Sequence, residues 1–209
     1  KIIMKVIYND GHVAECPEEE ELHVIRHTAA HILAQAVKRL YPQAHFAYGP
    51  ATEKGFYYDV DLGDKKLSDE DLPAIEAEMA KIVKENLPVK PFILSREEAK
   101  KLMEERHEKY KLEHIDDLPA DAEISIYRHG DFVDLCKGPH IPSSKKIGAF
   151  KLMKVAGAYW KGDADNEQLQ RLYGTAFFDK KDLKDSLHML EEAEKRDHRK
   201  LGRELGIYM

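Results

Sequence analysis

The sequence predicts an α+β fold in which helices pack on a mostly antiparallel sheet. Long stretches carry apolar residues at helical spacing, short stretches are rich in aromatic and β-branched residues, and turn residues separate the short stretches. With 43% hydrophobic residues among 209, the chain has enough apolar surface to bury one large core. No internal repeat or low-complexity linker divides it, so we expect a single main domain.

The individual elements follow from local signals along the chain. Asn9-Asp10-Gly11 marks a hairpin turn, and Ser68 and Ser95 are suitable helix N-caps, the latter with Glu98 placed for a capping box. The predicted elements are a hairpin over 2–15, a helix over 22–41, an aromatic strand within 46–62, a helix over 68–86, a strand over 89–94, a helix from Ser95 to about Lys109, strands over 124–127, 132–136, 148–155 and 158–160, and a last helix over 180–201.

Composition limits the functional classes. No apolar run approaches the roughly 20 residues of a membrane helix, and the first residues lack the apolar core of a signal peptide, so we predict a cytoplasmic protein with no membrane partner. Cys16 and Cys136 lie far apart, which favours reduced thiols and leaves Cys136 free to be a ligand. The net charge of −6 argues against a general nucleic-acid binder, although residues 137–184 carry a local excess of positive charge.

Two paired spacings carry the strongest chemical signal. His27 and His31 lie four residues apart on the first predicted helix, so their imidazoles share one face. Cys136 and His140 flank a Lys-Gly-Pro turn after a predicted strand. A thiolate and three imidazoles are a suitable tetrahedral donor set for zinc. Asp134, two residues before Cys136 on an alternating strand, faces the same side.

Each pair alone is a weak signal, because two histidines in a long helix often share no role. The sequence has neither a His-Glu-x-x-His motif nor a Cys-x-x-Cys partner, which argues against the usual metalloprotease and structural zinc sites. Without zinc, one histidine of the set could act as a general base toward water, because an imidazole titrates near neutral pH. The spacing permits both kinds of site.

Five longer motifs occur in order along the chain: His-Thr-Ala-Ala-His at 27–31, Gly-Phe-Tyr-Tyr-Asp at 55–59, Asp-Leu-Cys-Lys-Gly-Pro-His at 134–140, Gly-Ala-Tyr-Trp at 157–160 and Leu-Tyr-Gly-Thr-Ala-Phe at 172–177. Together they resemble the editing domain, or second additional domain, of bacterial threonyl-tRNA synthetase. The resemblance covers about residues 22–208. Alanyl-tRNA synthetase editing domains share the His/His and Cys/His pairs, whereas the Gly-Ala-Tyr-Trp segment and the last helix favour the threonyl branch.

The resemblance implies a division of the chain into three parts. These are an N-terminal hairpin and acidic linker over 1–21, a remnant of or lead-in from a ubiquitin-like domain; an editing domain over 22–179; and a C-terminal helix over 180–209 that leads to a class II catalytic domain. That ATP-binding domain would begin where the chain stops. We therefore expect neither aminoacylation activity nor a nucleotide cofactor within these 209 residues.

The resemblance also implies a reaction, the hydrolysis of seryl-tRNA for threonine by an activated water. The catalytic residues that it implies are His27, His31, Lys111, Asp134, Cys136 and His140, of which the histidines and the cysteine are also the zinc ligands. Lys111 would stabilise negative charge, and Asp134 would hold the serine hydroxyl or amine. Tyr57 and Tyr58 would line the substrate pocket or stack on the terminal base, although aromatic strand residues are more often core.

The implied partner is the tRNA for threonine, mischarged with serine, and the parent synthetase is expected to be a homodimer. Two alternatives stay open. An alanyl-type editing deacylase would have the same donor set and a different pocket, so deacylation of seryl-tRNA for threonine against that for alanine separates the two. A non-catalytic, zinc-stabilised tRNA-binding module would bind metal without deacylase activity.

Overall fold

The computed structural model describes the backbone of residues 3–204 and the side chains of residues 3–200. In chain order its strands and α-helices are β1 (Lys5–Ile7), β2 (Val13–Glu15), α1 (Glu21–Leu40), β3 (His45–Phe46), β4 (Phe56–Asp61), α2 (Leu72–Glu85), β5 (Val89–Leu94), α3 (Arg96–Glu105), α4 (Lys109–Asp117), β6 (Ile124–His129), β7 (Phe132–Leu135), β8 (Ala149–Tyr159), β9 (Gln168–Phe177) and α5 (Lys180–Glu204). No helix of the described part has the length and apolarity needed to cross a membrane.

The strands form three antiparallel groups within the described residues. A four-stranded sheet has the order β3-β4-β9-β8, a three-stranded sheet has the order β5-β6-β7, and β1 pairs with β2. The helix α1 packs against α2 and against strands β4 and β9 of the larger sheet. The predicted α+β class with antiparallel strands is therefore confirmed.

The helix α1 is central because its sequence leaves almost no polar face in its middle. Ala29, Ala30, Ile32 and Leu33 are all fully buried. Small alanines let the helix approach its neighbours closely, while the isoleucine and leucine fill the space between the helix and the sheet. Arg26 fixes the first half of the helix on β9 through a donated hydrogen bond of 3.1 Å to a β9 carbonyl oxygen.

Two predicted strand assignments were wrong. The segments predicted as separate strands at 148–155 and 158–160 are one strand, β8, and the sequence analysis assigned no strand to 168–177, where β9 lies between β4 and β8. The residue Gly174 interrupts the strand pattern of β9. A Cβ at this position would come within 2.5 Å of the Phe56 ring, so the close packing of β4 on β9 requires glycine here.

The helix predicted from Ser95 to about Lys109 is shorter than expected, and a further helix that was not predicted follows it. Ser95 and Glu98 form the predicted capping box at its start, but α3 ends at Glu105. His107 then adopts a φ of +57°, in the left-handed region that a continuous helix does not visit. The chain turns here and begins α4 at Lys109. This break bears on the candidate site, because α4 carries Lys111.

The predicted N-terminal hairpin packs against the main domain. Val6 is fully buried in the main hydrophobic core, and Ile7 exchanges two backbone hydrogen bonds with His140, at 2.8 and 3.0 Å. The part of the predicted hairpin at Ile2 lies outside the described residues. At the other end, α5 runs to Glu204, beyond the predicted end at Leu201, and the remaining part of the predicted 180–209 segment also lies outside them.

Candidate active site

The two paired motifs meet at one place. His27 and His31 project from α1, Cys136 follows the end of β7, and His140 follows the turn after it. One donor atom from each of the four side chains lies within 4.8 Å of the others. The thiol sulphur of Cys136 is 2.6 Å from His27 Nε2 and 3.0 Å from His140 Nε2. The predicted convergence of these four residues is therefore present.

The turn between Cys136 and His140 depends on its glycine. Gly138 has a φ of +60° and is followed by a cis peptide bond to Pro139. Its N–H donates a hydrogen bond of 3.2 Å to the Cys136 sulphur. A Cβ on Gly138 would come within 2.7 Å of the Asn9 side chain, which itself donates a hydrogen bond to the turn. The hairpin therefore holds the turn that positions His140.

Asp134 lies at the centre of a second, buried group of side chains. Its Oδ2 accepts hydrogen bonds from Tyr58 Oη at 2.5 Å and from His31 Nδ1 at 2.8 Å. Its Oδ1 accepts from Lys111 Nζ at 2.7 Å and from the Leu135 N–H at 2.8 Å. A carboxylate has about four lone-pair positions, so these four donors saturate it. Only 1% of Asp134 is exposed.

Lys111 and Tyr58 complete this buried group. The Lys111 ammonium donates to Tyr58 Oη at 2.8 Å as well as to Asp134, and only 5% of the lysine is exposed. Lys111 was expected at the site by resemblance alone. The structure brings it to the same carboxylate that orients His31, so the two groups of side chains form one site.

Tyr57 does not reach this site. Strand residues alternate between the two faces of a sheet, and Tyr58 uses the face toward Asp134. Tyr57 lies on the opposite face, where the Arg171 guanidinium sits 4.1 Å from its ring centroid and Tyr173 is 5.8 Å away. The two tyrosines that the sequence analysis grouped as substrate-binding therefore have different environments.

The electrostatics of the site centre on Asp134 and Cys136. Burial by itself would raise the pKa of Asp134, but the positive charges and hydrogen bonds of Lys111 and His31 hold it below its ordinary value. Burial would likewise raise the pKa of the Cys136 thiol, yet the surrounding imidazoles of His140, His31 and His27 lower it well below its ordinary value. The site therefore stabilises a carboxylate and a thiolate side by side.

The pKa values of two imidazoles, those of His31 and His140, are shifted in opposite directions. Burial opposes a charge on His31, but the negative charges of Cys136 and Asp134 outweigh burial and raise its pKa to about 9. His140 is also buried but has no carboxylate partner, and burial lowers its pKa to about 4. At neutral pH the proton of the cluster thus resides on His31, between the two anions, and His140 is neutral.

The cluster has the chemistry of a metal donor set. His31 bonds Asp134 through Nδ1, which is the arrangement by which a carboxylate orients a ligating imidazole, and its buried Nε2 has no hydrogen-bond partner in the described part of the chain. The donor nitrogens and sulphur around a tetrahedral zinc lie about 3.5 Å apart. His27 would therefore have to move away from Cys136, 2.6 Å distant, to share an ion with it.

Two further buried residues, Thr28 and Tyr127, lie at the site and were not predicted from the sequence. Thr28 places its hydroxyl 3.4 Å from His140 Nδ1 and accepts a hydrogen bond of 3.4 Å from the Ile141 N–H. Tyr127 stacks on His31 with ring centroids 4.4 Å apart, and it pairs with Asp134 across strands β6 and β7. Helical spacing could have found Thr28, which lies three residues before His31. No local signal identifies Tyr127, since its position depends on strand register.

The chain is similar in sequence to aminoacyl-tRNA synthetases. The family described as "Threonyl and Alanyl tRNA synthetase second additional domain" matches residues 124–173, which include Asp134, Cys136 and His140. A threonine–tRNA ligase of Clostridioides difficile (strain 630) is 60% identical over 192 residues, or 92% of this chain and 30% of that protein. The similarity to the editing region of bacterial threonyl-tRNA synthetases is confirmed.

Other threonine–tRNA ligases match over even more of the chain. The protein of Clostridium novyi (strain NT) is 56% identical over 99% of this chain and 32% of its own length. That of Marinobacter nauticus is 52% identical over 97% of this chain and 32% of its own length. The chain thus spans about a third of the length of the relatives it matches.

Proposed function

We propose that this chain hydrolyses the ester that joins serine to the tRNA for threonine, the proofreading step of threonine–tRNA ligation. The observation that carries the proposal is the joined site: a thiolate–imidazole cluster with a half-buried face, fixed to a buried Lys111–Asp134–Tyr58 group. The similarity to threonine–tRNA ligases supplies the substrate class. In this proposal the partner is the tRNA for threonine carrying serine.

The reaction answers a physical limit on selectivity. Serine lacks one methyl group of threonine, and a missing methyl or methylene in a binding pocket is worth only about 1–3 kcal/mol of discrimination. A second site that hydrolyses the wrong product is a general solution to this limit. Such a site has to activate a water molecule and stabilise the oxyanion of an ester.

His27 is the residue that we assign to water activation. It is half-buried, whereas His31 and His140 are almost fully buried. When its Nε2–H donates to the Cys136 thiolate, its Nδ1 is an acceptor that can take a proton from water. The neighbouring thiolate then stabilises the imidazolium that forms, as the carboxylate does in a catalytic triad.

Lys111 is the residue that we assign to the oxyanion. Two of the three N–H donors of its ammonium go to Asp134 and Tyr58, which leaves one for a substrate oxygen. Asp134 was expected to hold the serine hydroxyl or amine, but its four donors favour another role. We infer that it orients His31 and Lys111 and keeps their charges in place.

Zinc is compatible with the same residues. The side chains of His27, His31, Cys136 and His140 would hold it. When bound it would supply a Lewis acid that polarises the ester carbonyl or lowers the pKa of a water. The roles of Lys111 and Asp134 are the same with or without the ion.

The test is hydrolysis of seryl-tRNA and threonyl-tRNA, both carried on the tRNA for threonine. We expect the intact chain to release serine and to leave threonine attached. A His27→Ala, His31→Ala double variant should lose this activity by about 10²-fold or more, the usual contribution of a general base. His188→Ala, an exposed histidine on α5, is the matched control and should keep full activity.

The other outcomes separate the alternatives. Preferential hydrolysis of seryl-tRNA for alanine would instead indicate an alanyl-type deacylase. Zinc binding without hydrolysis of either substrate would indicate a non-catalytic tRNA-binding module. Equal hydrolysis by the double variant and the intact chain would contradict the assignment of the site.

A further inference from the structure

The short helix α4 separates the site from a second cluster of contacts. Lys111 points from α4 into the site, while its neighbour Tyr110 points the other way and is 1% exposed. The Tyr110 hydroxyl donates a hydrogen bond of 2.5 Å to Asp61 on β4. The Tyr110 ring lies 5.0 Å from the ring of Trp160. Every contact that holds Tyr110 in place therefore also bears on the position of Lys111.

Two residues of the turn between β8 and β9 bind side chains of α4. Trp160 Nε1 donates a hydrogen bond of 2.5 Å to Glu113 on α4. Lys161, with a φ of +57°, directs its ammonium to Glu113 at 3.2 Å and to Asp117 at 2.6 Å. We name Tyr110, Glu113, Trp160 and Lys161 the α4 clasp. It includes the tryptophan of the Gly-Ala-Tyr-Trp motif, which has no role in the catalytic cluster described above.

The helix α4 needs such a clasp. It has only nine residues, and an isolated helix of that length is unstable in water, so tertiary contacts must hold it. It follows the left-handed residue His107 and has no side-chain N-cap, so its start contributes little rigidity. Keeping Lys111 buried, with 5% of the residue exposed, also requires α4 to stay close to Asp134, because retreat by about 1 Å would admit water to the ion pair.

We propose that the α4 clasp positions Lys111, and that Trp160 is a positioning residue for ester hydrolysis that acts through α4 without touching the substrate. The proposal rests on the proposed function. It assigns a purpose to a tryptophan that lies outside the catalytic cluster. It also explains why Trp160 donates to a charged carboxylate, since charge-assisted hydrogen bonds are about twice as strong as neutral ones.

A labelling experiment tests the positioning itself. Acetylation of each lysine by an N-hydroxysuccinimide ester is followed by peptide mass spectrometry in the intact chain, in Trp160→Ala and in Glu113→Ala. Lys111 should be protected in the intact chain and acetylated roughly tenfold faster or more in both variants, because opening of α4 exposes it. Glu113 is exposed, so its variant folds even where Trp160→Ala does not. Equal protection of Lys111 in Glu113→Ala and the intact chain would overturn the proposal.

Glu76→Ala is the control variant, and tryptophan fluorescence gives a second measurement of the α4 clasp. Glu76→Ala removes another contact to β8, the 3.2 Å ion pair with Lys151, and should leave Lys111 protected. Trp160 is the only tryptophan in the sequence, so its fluorescence reports on the clasp directly. The emission should shift to the red in Glu113→Ala and stay unchanged in Glu76→Ala.

A kinetic cycle tests the consequence for catalysis. With the Lys111 side chain present, Trp160→Ala should lower kcat for seryl-tRNA by roughly 10–100-fold with little change in KM, since misplacement by 1 Å can cost about 10²-fold. Trp160→Phe, which keeps the ring contact, should restore part of the rate. In a Lys111→Ala background Trp160→Ala should have no further effect. Equal losses in both backgrounds would show a general structural role and contradict the proposal.

An intact chain without hydrolysis would refute the proposed function, while the labelling would still decide the role of the α4 clasp.

Discussion

The two halves of the site differ in how well their polar atoms are satisfied. We call Tyr58, Lys111 and Asp134 the framework half, in which the carboxylate accepts four hydrogen bonds and the ammonium donates two. The open half consists of His27 and Cys136, which are half-buried, and of His31 Nε2, which has no partner among the described residues. The Asp134 carboxylate of the framework half has no capacity left for a ligand, and the Lys111 ammonium keeps one N–H, whereas His31 Nε2 of the open half has no partner at all among the described residues.

This difference separates polar groups that can bind a ligand from polar groups that fix the geometry of the site. A buried polar group without a partner costs about 1–3 kcal/mol, so such a group beside other ligand-type side chains is a candidate for binding a ligand, water or ion. A saturated group costs little and mainly fixes geometry. Mutation of the saturated Asp134 should therefore act chiefly on stability, and mutation of the open half chiefly on activity.

The largest expected difference between the two halves is in the effect of Asp134→Ala on stability. This variant should lower the free energy of unfolding by about 3–5 kcal/mol, because it leaves the buried charges of Lys111 and His31 without their anion. Cys136→Ala, the matched change in the open half, should cost no more than about 1 kcal/mol. Urea unfolding of the two variants gives both numbers. Equal losses would mean that the two halves are not energetically distinct.

Zinc addition tests whether the open half can bind a ligand. A donor set of one thiolate and three imidazoles should bind the ion and stabilise the fold by about 2.7 kcal/mol when free zinc is 100 times its Kd. Thermal unfolding with and without zinc measures this shift. Cys136→Ala should abolish it, and Asp134→Asn should weaken binding by about 10–100-fold through the loss of a properly oriented His31. An equal shift in Cys136→Ala would place the ion elsewhere.

The sequence predicts the open half better than the framework half. Helical spacing brings His27 and His31 to one face, and a short turn joins Cys136 to His140, so local rules suffice for these four residues. Alternation along β7 adds Asp134. The same signals predict most helices and the antiparallel class, because these elements have strong caps and clear periodicity.

The framework half depends on long-range structure that local rules do not reach. Lys111 meets Asp134 only because the chain turns at His107 and starts a separate helix, α4, which the local sequence signals did not predict. Alternation predicts that one residue of the Tyr57–Tyr58 pair faces the site but not which one, since that depends on how β4 docks on α1. The unassigned strand β9 was missed for a similar reason, because its glycine is explained only by the neighbouring β4.

Tyr127→Phe tests the energetic cost of an unpartnered hydroxyl next to the two halves of the site. Its ring stacks on His31, but its buried hydroxyl has no partner among the described side chains or backbone groups. Removing an unsatisfied hydroxyl should leave the fold as stable or increase the free energy of unfolding by up to about 1 kcal/mol. Tyr127→Leu, which also removes the stacking, should destabilise. A clear loss of stability in Tyr127→Phe would reveal a hydrogen bond for this hydroxyl.

The smallest expected effect compares two buried carboxylates. Asp134 has four donors and a lowered pKa, whereas the Glu108 carboxylate accepts one hydrogen bond, from the Phe46 N–H at 3.1 Å, and burial raises its pKa. A raised pKa means that the folded state binds the proton more tightly, so the contribution of Glu108 to stability is present below about pH 4.5 and is lost as the pH rises through its folded pKa.

Glu108→Gln removes this titration and keeps an oxygen that can accept from Phe46. The variant should therefore be more stable than the intact chain at pH 7, by no more than about 1 kcal/mol, and equal to it near pH 4. Urea unfolding at the two pH values measures the difference, with Glu105→Gln as an exposed control that should show none. If Glu108→Gln is the less stable form at pH 7, the ionised carboxylate is stabilised by its surroundings, and burial alone does not make a carboxylate costly in this protein.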